Sequence, residues 1–374
     1  MTTPSPAPRP GAPAAQPATA PSPGGSSAGR VRRVLVARLD GAGDVVLAGP
    51  AVRAIAAAAE VTLLCGPAGA AAGRLLPGVA DVLTWACPWV LADPPPVRGA
   101  DVEGFVATVA AGGFDAAVVL TSFHQSPLPL ALLLRLAGVR SISGASVDYP
   151  GALLDVRLRP GEDLDEDQPE PERMLAIARA AGFPPPPGDD GALAVLPPPD
   201  VTDLLPAGPY VVVHPGAAAA ARQWPAEAAR ELVDLLAGTG RRVVVTGGPG
   251  ERELTARVAG RDGIDLGGRT DLAQLTGVLA GADAVVVGNT AAAHLAAAVG
   301  TPVVSLFAPV VPAVRWRPYR VAQVLLGDQS APCRDTRATR CPVPGHPCLA
   351  GVTATDVRHA LDRLVGARPA EVPA

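Results

Sequence analysis

The stretch Ala284–Pro309, AVVVGNTAAAHLAAAVGTPVVSLFAP, constrains the fold of this chain more than any other. Ala284–Val287 is a short β-branched run, and Thr290–Val299 is alanine-rich and favours a helix. Gly300–Thr301–Pro302 then punctuates before a second β-branched run, Val303–Phe307. The pattern predicts a β-α-β unit. Asn289, Thr290 and His294 fall at the first turn of its helix, where unpaired N–H groups and the positive end of the helix dipole favour an anion. The guest this predicts is a phosphate.

The same rhythm runs through the rest of the chain. Arg33–Leu39 reads as a buried strand, Asp40–Gly43 (DGAG) as a tight glycine loop and Asp44–Ala59 as a helix. Strands at Val61–Cys65, Asp81–Trp85, Phe114–Thr121 and Arg140–Gly144 alternate with helical segments around Gly69–Leu76, Ala100–Ala111 and Pro127–Ala137. Pro160–Glu172 is acidic and predicts a solvated loop before a helix over Arg173–Ala181. Two proline runs in Phe183–Asp200 mark an interdomain connection. The theme then restarts with strand Tyr210–Val213, a helix from Pro225 to Leu236, strand Arg242–Thr246, a helix from Glu251, strand Ile264–Leu266 and helix Leu272–Ala280. The class is therefore α/β, with two Rossmann-like, doubly wound domains facing a cleft. The boundaries expected are a tail at 1–29, a first domain at 30–183, a linker at 184–200 and a second domain at 201–374 that ends in a helix.

Residues 1–29 are rich in Pro, Ala, Ser and Gly, which cannot bury enough surface to offset ordering entropy, so a disordered tail is expected. They contain no apolar signal-peptide core, and the longest later apolar run, Leu128–Val139, is short and carries Arg135. A cytoplasmic protein without a transmembrane segment follows, with peripheral contact to a membrane surface left open. A net charge of -4 supplies no basic footprint, which excludes nucleic acid as the expected partner. Five cysteines, without an export signal, argue against a disulfide framework. Cys65 and Cys87 read as small buried hydrophobes. Cys333, Cys341, His346 and Cys348 are the one weak metal candidate, because C-x7-C-x4-H-x-C matches no common zinc module and contains no C-x2-C pair.

Ligands of open α/β sheets sit outside the carboxyl ends of the strands, and the chemistry-bearing residues cluster there. Asp40 and Asp44 bracket the first glycine loop, where a general base is wanted. Thr246–Gly247–Gly248 with Glu251 resembles a nucleotide loop: glycines admit close backbone approach and a carboxylate can accept from ribose hydroxyls. Neither loop has the G-x-G-x-x-G spacing of a nicotinamide site. His124 and Gln125 follow a strand and are candidates for an acceptor pocket, beside the plainer reading of an ordinary loop. His294 read without context is a hydrogen-bonded, half-buried histidine.

In this order and spacing, Gly43–Asp44, HPG (His214–Gly216) with RQWP (Arg222–Pro225), TGGPGE (Thr246–Glu251) and GNTAAAH (Gly288–His294) resemble the family 9 glycosyltransferases, over about Arg33–Gly366. The best known members of that family are ADP-heptose:lipopolysaccharide heptosyltransferases. The resemblance implies a GT-B architecture and an inverting, metal-independent transfer needing no cofactor. The donor implied is a nucleotide-diphosphate-sugar, ADP-heptose or similar, held by the C-terminal domain. The acceptor implied is a glycan or glycolipid on the N-terminal domain, near Asp40, Gly43, His124 and Gln125. Asp44 matches the family's catalytic Asp, and Arg222 stands where the family usually has Lys on the diphosphate. Glu251 matches the ribose-binding acid, with Thr246, Gly247 and Gly248 in the same loop, and Thr270 and Leu272 fall at positions lining the base pocket. Asn289, Thr290, Ala291 and His294 match the Asp-Thr-Gly…His motif at the phosphate-binding helix. Asn289 and Ala291 depart from it, removing a negative charge near the diphosphate and adding a Cβ where backbone must approach phosphate. Two other classes share the architecture: a nucleotide-sugar epimerase, for which Asp40, His124 and His214 are the spare acid/base groups, and a non-catalytic nucleotide-sugar binder.

Overall fold

Short runs of Val, Ile, Leu and Ala that are apolar on both faces can only be buried between helices, and the computed structural model places them so. It describes residues 32–91, 93–122 and 124–366; the tail read at 1–29 lies outside them. In chain order the first strands are β1 (Arg33–Arg38), β2 (Glu60–Cys65), β3 (Val79–Thr84), β4 (Ala116–Val119), β5 (Ser141–Ala145) and β6 (Val156–Leu158). They pair in the order β3-β2-β1-β4-β5-β6. The second set is β7 (Tyr210–His214), β8 (Arg242–Val245), β9 (Ile264–Asp265), β10 (Ala284–Gly288), β11 (Val303–Leu306) and β12 (Gln323–Leu326). These pair as β12-β11-β10-β7-β8-β9. Every pairing is parallel. Counted from its own first strand, each sheet therefore has the same 3-2-1-4-5-6 order, the doubly wound arrangement of a dinucleotide fold. The strand order reverses between β1 and β4 in one sheet and between β7 and β10 in the other, which opens a crevice at each carboxyl edge.

The opening β-α-β unit lies as read, with helix Ala291–Ala298 between β10 and β11. Elsewhere the structure differs in instructive ways. The helix expected at Asp44–Ala59 is two, Ala42–Leu47 and Gly49–Ala56, because Pro50 lacks the N–H that would continue the first ladder. The edge strands β6 and β12 are short and only half-buried, so they carry no long apolar run to betray them. The acidic stretch is exposed over most of residues 161–167, as its charge suggests, but its end is not. Glu170 and Arg173 are 0% and 1% exposed, because arginines distant in sequence neutralise the carboxylates there.

The proline-rich segment lies along the first half. Arg53 holds Asp189 through two 2.9 Å hydrogen bonds, and Leu196 N–H donates to the Leu75 carbonyl at 2.7 Å. The terminal helix Ala354–Gly366 packs on helix Ala226–Gly238 and on the second sheet. Gly66, after β2, has a structural reason for lacking a side chain: a Cβ there would stand 2.6 Å from the Leu39 carbonyl oxygen. That close approach lets the loop after β2 press on the loop that carries Asp40.

Candidate active site

The carboxyl edges of the two sheets face one another across a cavity of about 590 Å³. Asp40–Asp44 after β1 forms one wall. Helix Ala291–Ala298 forms the wall opposite, and its start touches the first. A Cβ on Gly43 would lie 3.0 Å from His294 Cδ2 and 3.4 Å from Ala291 Cα, so any side chain there would press on the facing helix start.

Beneath Asp44 lies Arg38, the last residue of β1 and 0% exposed. Its guanidinium donates from Nη2 to Asp44 Oδ1 at 2.8 Å and to Ser122 Oγ at 2.9 Å, and from Nη1 to the Leu120 carbonyl at 3.1 Å. Asp40 Oδ2 is 3.1 Å from Arg38 Nε, and Glu170 Oε2 is 3.8 Å from Nη1. One buried cation thus serves three carboxylates. From the second half, Trp316 Nε1–H donates to the same Asp44 Oδ1 at 3.1 Å. Burial alone would raise the Asp44 carboxyl, but Arg38 beside it and the bonds from Trp316 and Arg38 hold it below the usual carboxylate range. Burial and the Asp44 charge push Asp40 the other way, against Arg38. Asp44 is therefore the more acidic member of the pair.

His294 is buried and its Nδ1 has no hydrogen-bond partner among the described residues. Burial lowers its pKa to about 4, against the opposing charge of Asp44, so the ring is neutral at pH 7. Asn289 Nδ2 and Thr290 Oγ1 are likewise buried without partners. Three polar groups on one helix start thus face the cavity unsatisfied, which native interiors rarely tolerate without a ligand or water. Arg222 enters from the loop after β7; its Nε lacks a partner, and burial lowers its pKa against the pull of Asp44. Its guanidinium remains a cation.

On the far side Glu251 lies directly over Gly216, where any side chain would collide with it, and Glu251 Oε2 accepts from Gly248 N–H at 2.7 Å. His214 Nδ1 is 2.9 Å from Thr246 Oγ1, and burial lowers its pKa against the Glu251 charge.

Residues 163–345 match glycosyltransferase family 9 (heptosyltransferase). Over that stretch, just under half of its length, the chain is similar to the family 9 heptosyltransferases. Lipopolysaccharide heptosyltransferase 1 of Pseudomonas aeruginosa is 36% identical to it over 146 residues, 38% of this chain and 41% of that protein. The match thus spans less than half the length of that relative. Escherichia coli ADP-heptose lipopolysaccharide heptosyltransferase II superposes with a TM-score of 0.67 at 20% identity, covering 89% of this chain and 98% of that one. An E. coli heptosyltransferase with ADP-2-deoxy-2-fluoro heptose gives 0.64 at 23% identity, covering 88% and 99%. These likenesses establish the GT-B fold.

In this heptosyltransferase-like chain the cavity gathers Asp40, Gly43, Asp44 and His124 from the first half. From the second it gathers Arg222, Gly248, Glu251, Leu272, Asn289, Thr290, Ala291 and His294. Four candidates stand off. Thr246 is buried behind the wall on His214, and Gly247 packs on Thr255 and Glu251. Thr270 does not line the cavity. Gln125 donates to Asp40 Oδ1 at 2.6 Å and lines a neighbouring apolar pocket of about 380 Å³ instead. Burial, then Arg337 and Arg38, lower the His124 pKa to about 4.

Sequence reasoning missed Arg38, Glu170, Arg315 and Trp316. The one signal for Arg38 is an arginine inside an otherwise apolar strand, RVLVARL.

The cysteine loop is bonded to the segment that presents Arg222. His346 Nε2 bonds the Ala221 carbonyl at 3.0 Å, Ala221 N–H donates to the Thr339 carbonyl, and Trp224 Nε1–H to the Val352 carbonyl at 3.1 Å. The loop therefore braces the segment that presents Arg222. Burial, helped by Cys333, pushes the Cys348 thiol up to about 11. Among the described residues no group of three or more His, Cys, Asp or Glu is placed to hold a metal ion. No helix among them is long and apolar enough to cross a membrane.

Proposed function

We propose that this chain is a glycosyltransferase that moves a sugar, a heptose by family likeness, from a nucleotide-diphosphate donor to a hydroxyl of a glycan or glycolipid acceptor. The observation that carries this reading is the facing pair: an ionised Asp44 on one wall, and on the other an arginine and a helix start with unsatisfied polar groups. Asp44 takes the proton from the acceptor hydroxyl as its oxygen attacks the anomeric carbon. The bond from that carbon to the diphosphate oxygen breaks in the same displacement, inverting the centre. The diphosphate leaves with its added negative charge against Arg222 and the N–H groups at the start of helix Ala291–Ala298, so those groups can balance the charge without a metal. Neutral His294 and Thr290 can donate to the same oxygens, and Asn289 adds a donor in place of a repelling carboxylate. Glu251 is suited to the ribose hydroxyls and Leu272 to the base. Acceptor recognition falls to Asp40 and His124, with Gln125 holding Asp40. Working on a soluble donor and a lipid-linked acceptor, the protein acts at the cytoplasmic side of a membrane.

Calorimetric titration with ADP, GDP, UDP and ADP-heptose tests this reading. One nucleoside diphosphate is expected to bind in the micromolar range, and Arg222→Ala is expected to weaken it by about tenfold or more. Equal, millimolar binding of all of them would overturn the donor site. Tight binding with no release of nucleotide in the presence of any acceptor would favour the non-catalytic binder.

A further inference from the structure

The contacts around Asp44 cross between the two halves through one short segment. Helix Ala313–Trp316 follows β11 and belongs to the second sheet, yet both of its last residues reach into the first half. Arg315 is 4% exposed; it donates from Nη1 to Glu170 Oε1 at 3.0 Å and from Nη2 to Glu166 Oε2 at 2.6 Å. Trp316, 9% exposed, donates to Asp44 Oδ1. Glu170 is fully buried and stands between the two cations, with Oε1 on Arg315 and Oε2 3.8 Å from Arg38. Arg38 has a single guanidinium for Asp40, Asp44 and Glu170. A cation that takes Glu170 leaves Arg38 to the two aspartates.

We propose that Arg315 and Trp316 are positioning residues for Asp44, so that the second half, by docking this segment, sets the orientation and charge of a carboxylate carried by the first. Trp316 fixes Oδ1 directly. Arg315 acts through Glu170 by keeping that carboxylate from competing for Arg38. With Oδ1 taken by Arg38 and Trp316, Oδ2 is the oxygen left to meet a hydroxyl in the cavity. The inference rests on the proposed role of Asp44 in transfer. It adds that the base is complete only while the halves stand as they do here.

Burial raises the Asp44 pKa, and Arg38 and the Trp316 bond lower it. The other charged or titratable groups facing Asp44 are Asp40 beside it, Glu170 beneath Arg38, His124 after β4, and Arg222 and His294 across the cavity. Loss of a donor to the ionised form moves an acid's midpoint upward.

Carbon-13 NMR titration of the aspartate carboxyls in the full chain tests this without any substrate, with Asp44→Asn assigning the resonance. Trp316→Phe keeps the ring and removes only the N–H. It is expected to raise the Asp44 midpoint by about one pH unit, and Arg315→Gln to move it in the same direction where that variant folds. A folded Trp316→Phe with an unmoved Asp44 midpoint would overturn the inference, leaving the segment a plain structural contact. The functional reading fails separately: undiminished turnover by Asp44→Asn would remove the base while leaving the titration result intact.

Discussion

Asp44→Asn is expected to reduce transfer by about 10³-fold while leaving donor affinity unchanged or slightly improved. The substitution keeps an oxygen to accept from Arg38 and Trp316, so the wall of the cavity need not move. It removes the carboxylate that Arg38 and Trp316 hold ionised, whereas Asp40 is pushed toward its neutral form by burial and by Asp44 itself. Donor contacts are expected on the opposite wall, from Arg222 and the helix that begins at Ala291, and one fewer negative charge in the cavity favours a diphosphate. Steady-state rates and calorimetry on one preparation separate the two effects. A variant that binds donor normally and turns over at the parent rate would show that another group carries the proton.

Arg38→Met is expected to destabilise the protein by about 3–5 kcal/mol, the range for removing one member of a buried ion cluster. Methionine fills much of the space, so the loss comes from charge. Asp40 and Asp44 would share a dry corner with no cation between them, and Glu170 would depend on Arg315 alone. The Leu120 carbonyl and Ser122 hydroxyl would lose their donor as well. Urea unfolding at pH 7 measures this as a shift of midpoint at constant slope. A shift equivalent to less than about 1 kcal/mol would mean that water enters the corner and replaces the guanidinium. Transfer should fall too, because Asp44 loses the partner that holds it ionised.

Much of this architecture was legible in the chain. β-branched runs bounded by glycine loops mark β1, β2, β7, β8, β10 and β11, since a strand buried on both faces has to be apolar throughout. Residues at the starts of helices were legible for a related reason: loop and cap chemistry is local, so Asp44, Glu251 and the Asn289–His294 turn declare themselves by spacing. What local spacing cannot carry is charge pairing across the fold. Glu170 sits in a run that reads as solvated, and only its distance from Arg38 and Arg315, more than a hundred residues away on either side, makes it a core residue. Arg315 and Trp316 lie in VRWRPYR, which has no periodicity to mark a helix and no motif to mark a site. The cysteine loop shows the same limit: its residue types suggest a ligand set, and nothing in its spacing tells that its hydrogen bonds brace the arginine loop.

The stereochemistry of the product tests single displacement from Asp44 most directly. Proton NMR of the sugar transferred from a donor of defined anomeric configuration, offered with a panel of glycan and glycolipid acceptors, reports it at the anomeric proton. Attack by an acceptor hydroxyl deprotonated by Asp44, on the face opposite the diphosphate, predicts a product of inverted configuration. A product that keeps the donor's configuration would contradict it, because two displacements would then be required and Asp44 acting as a base alone would not explain them.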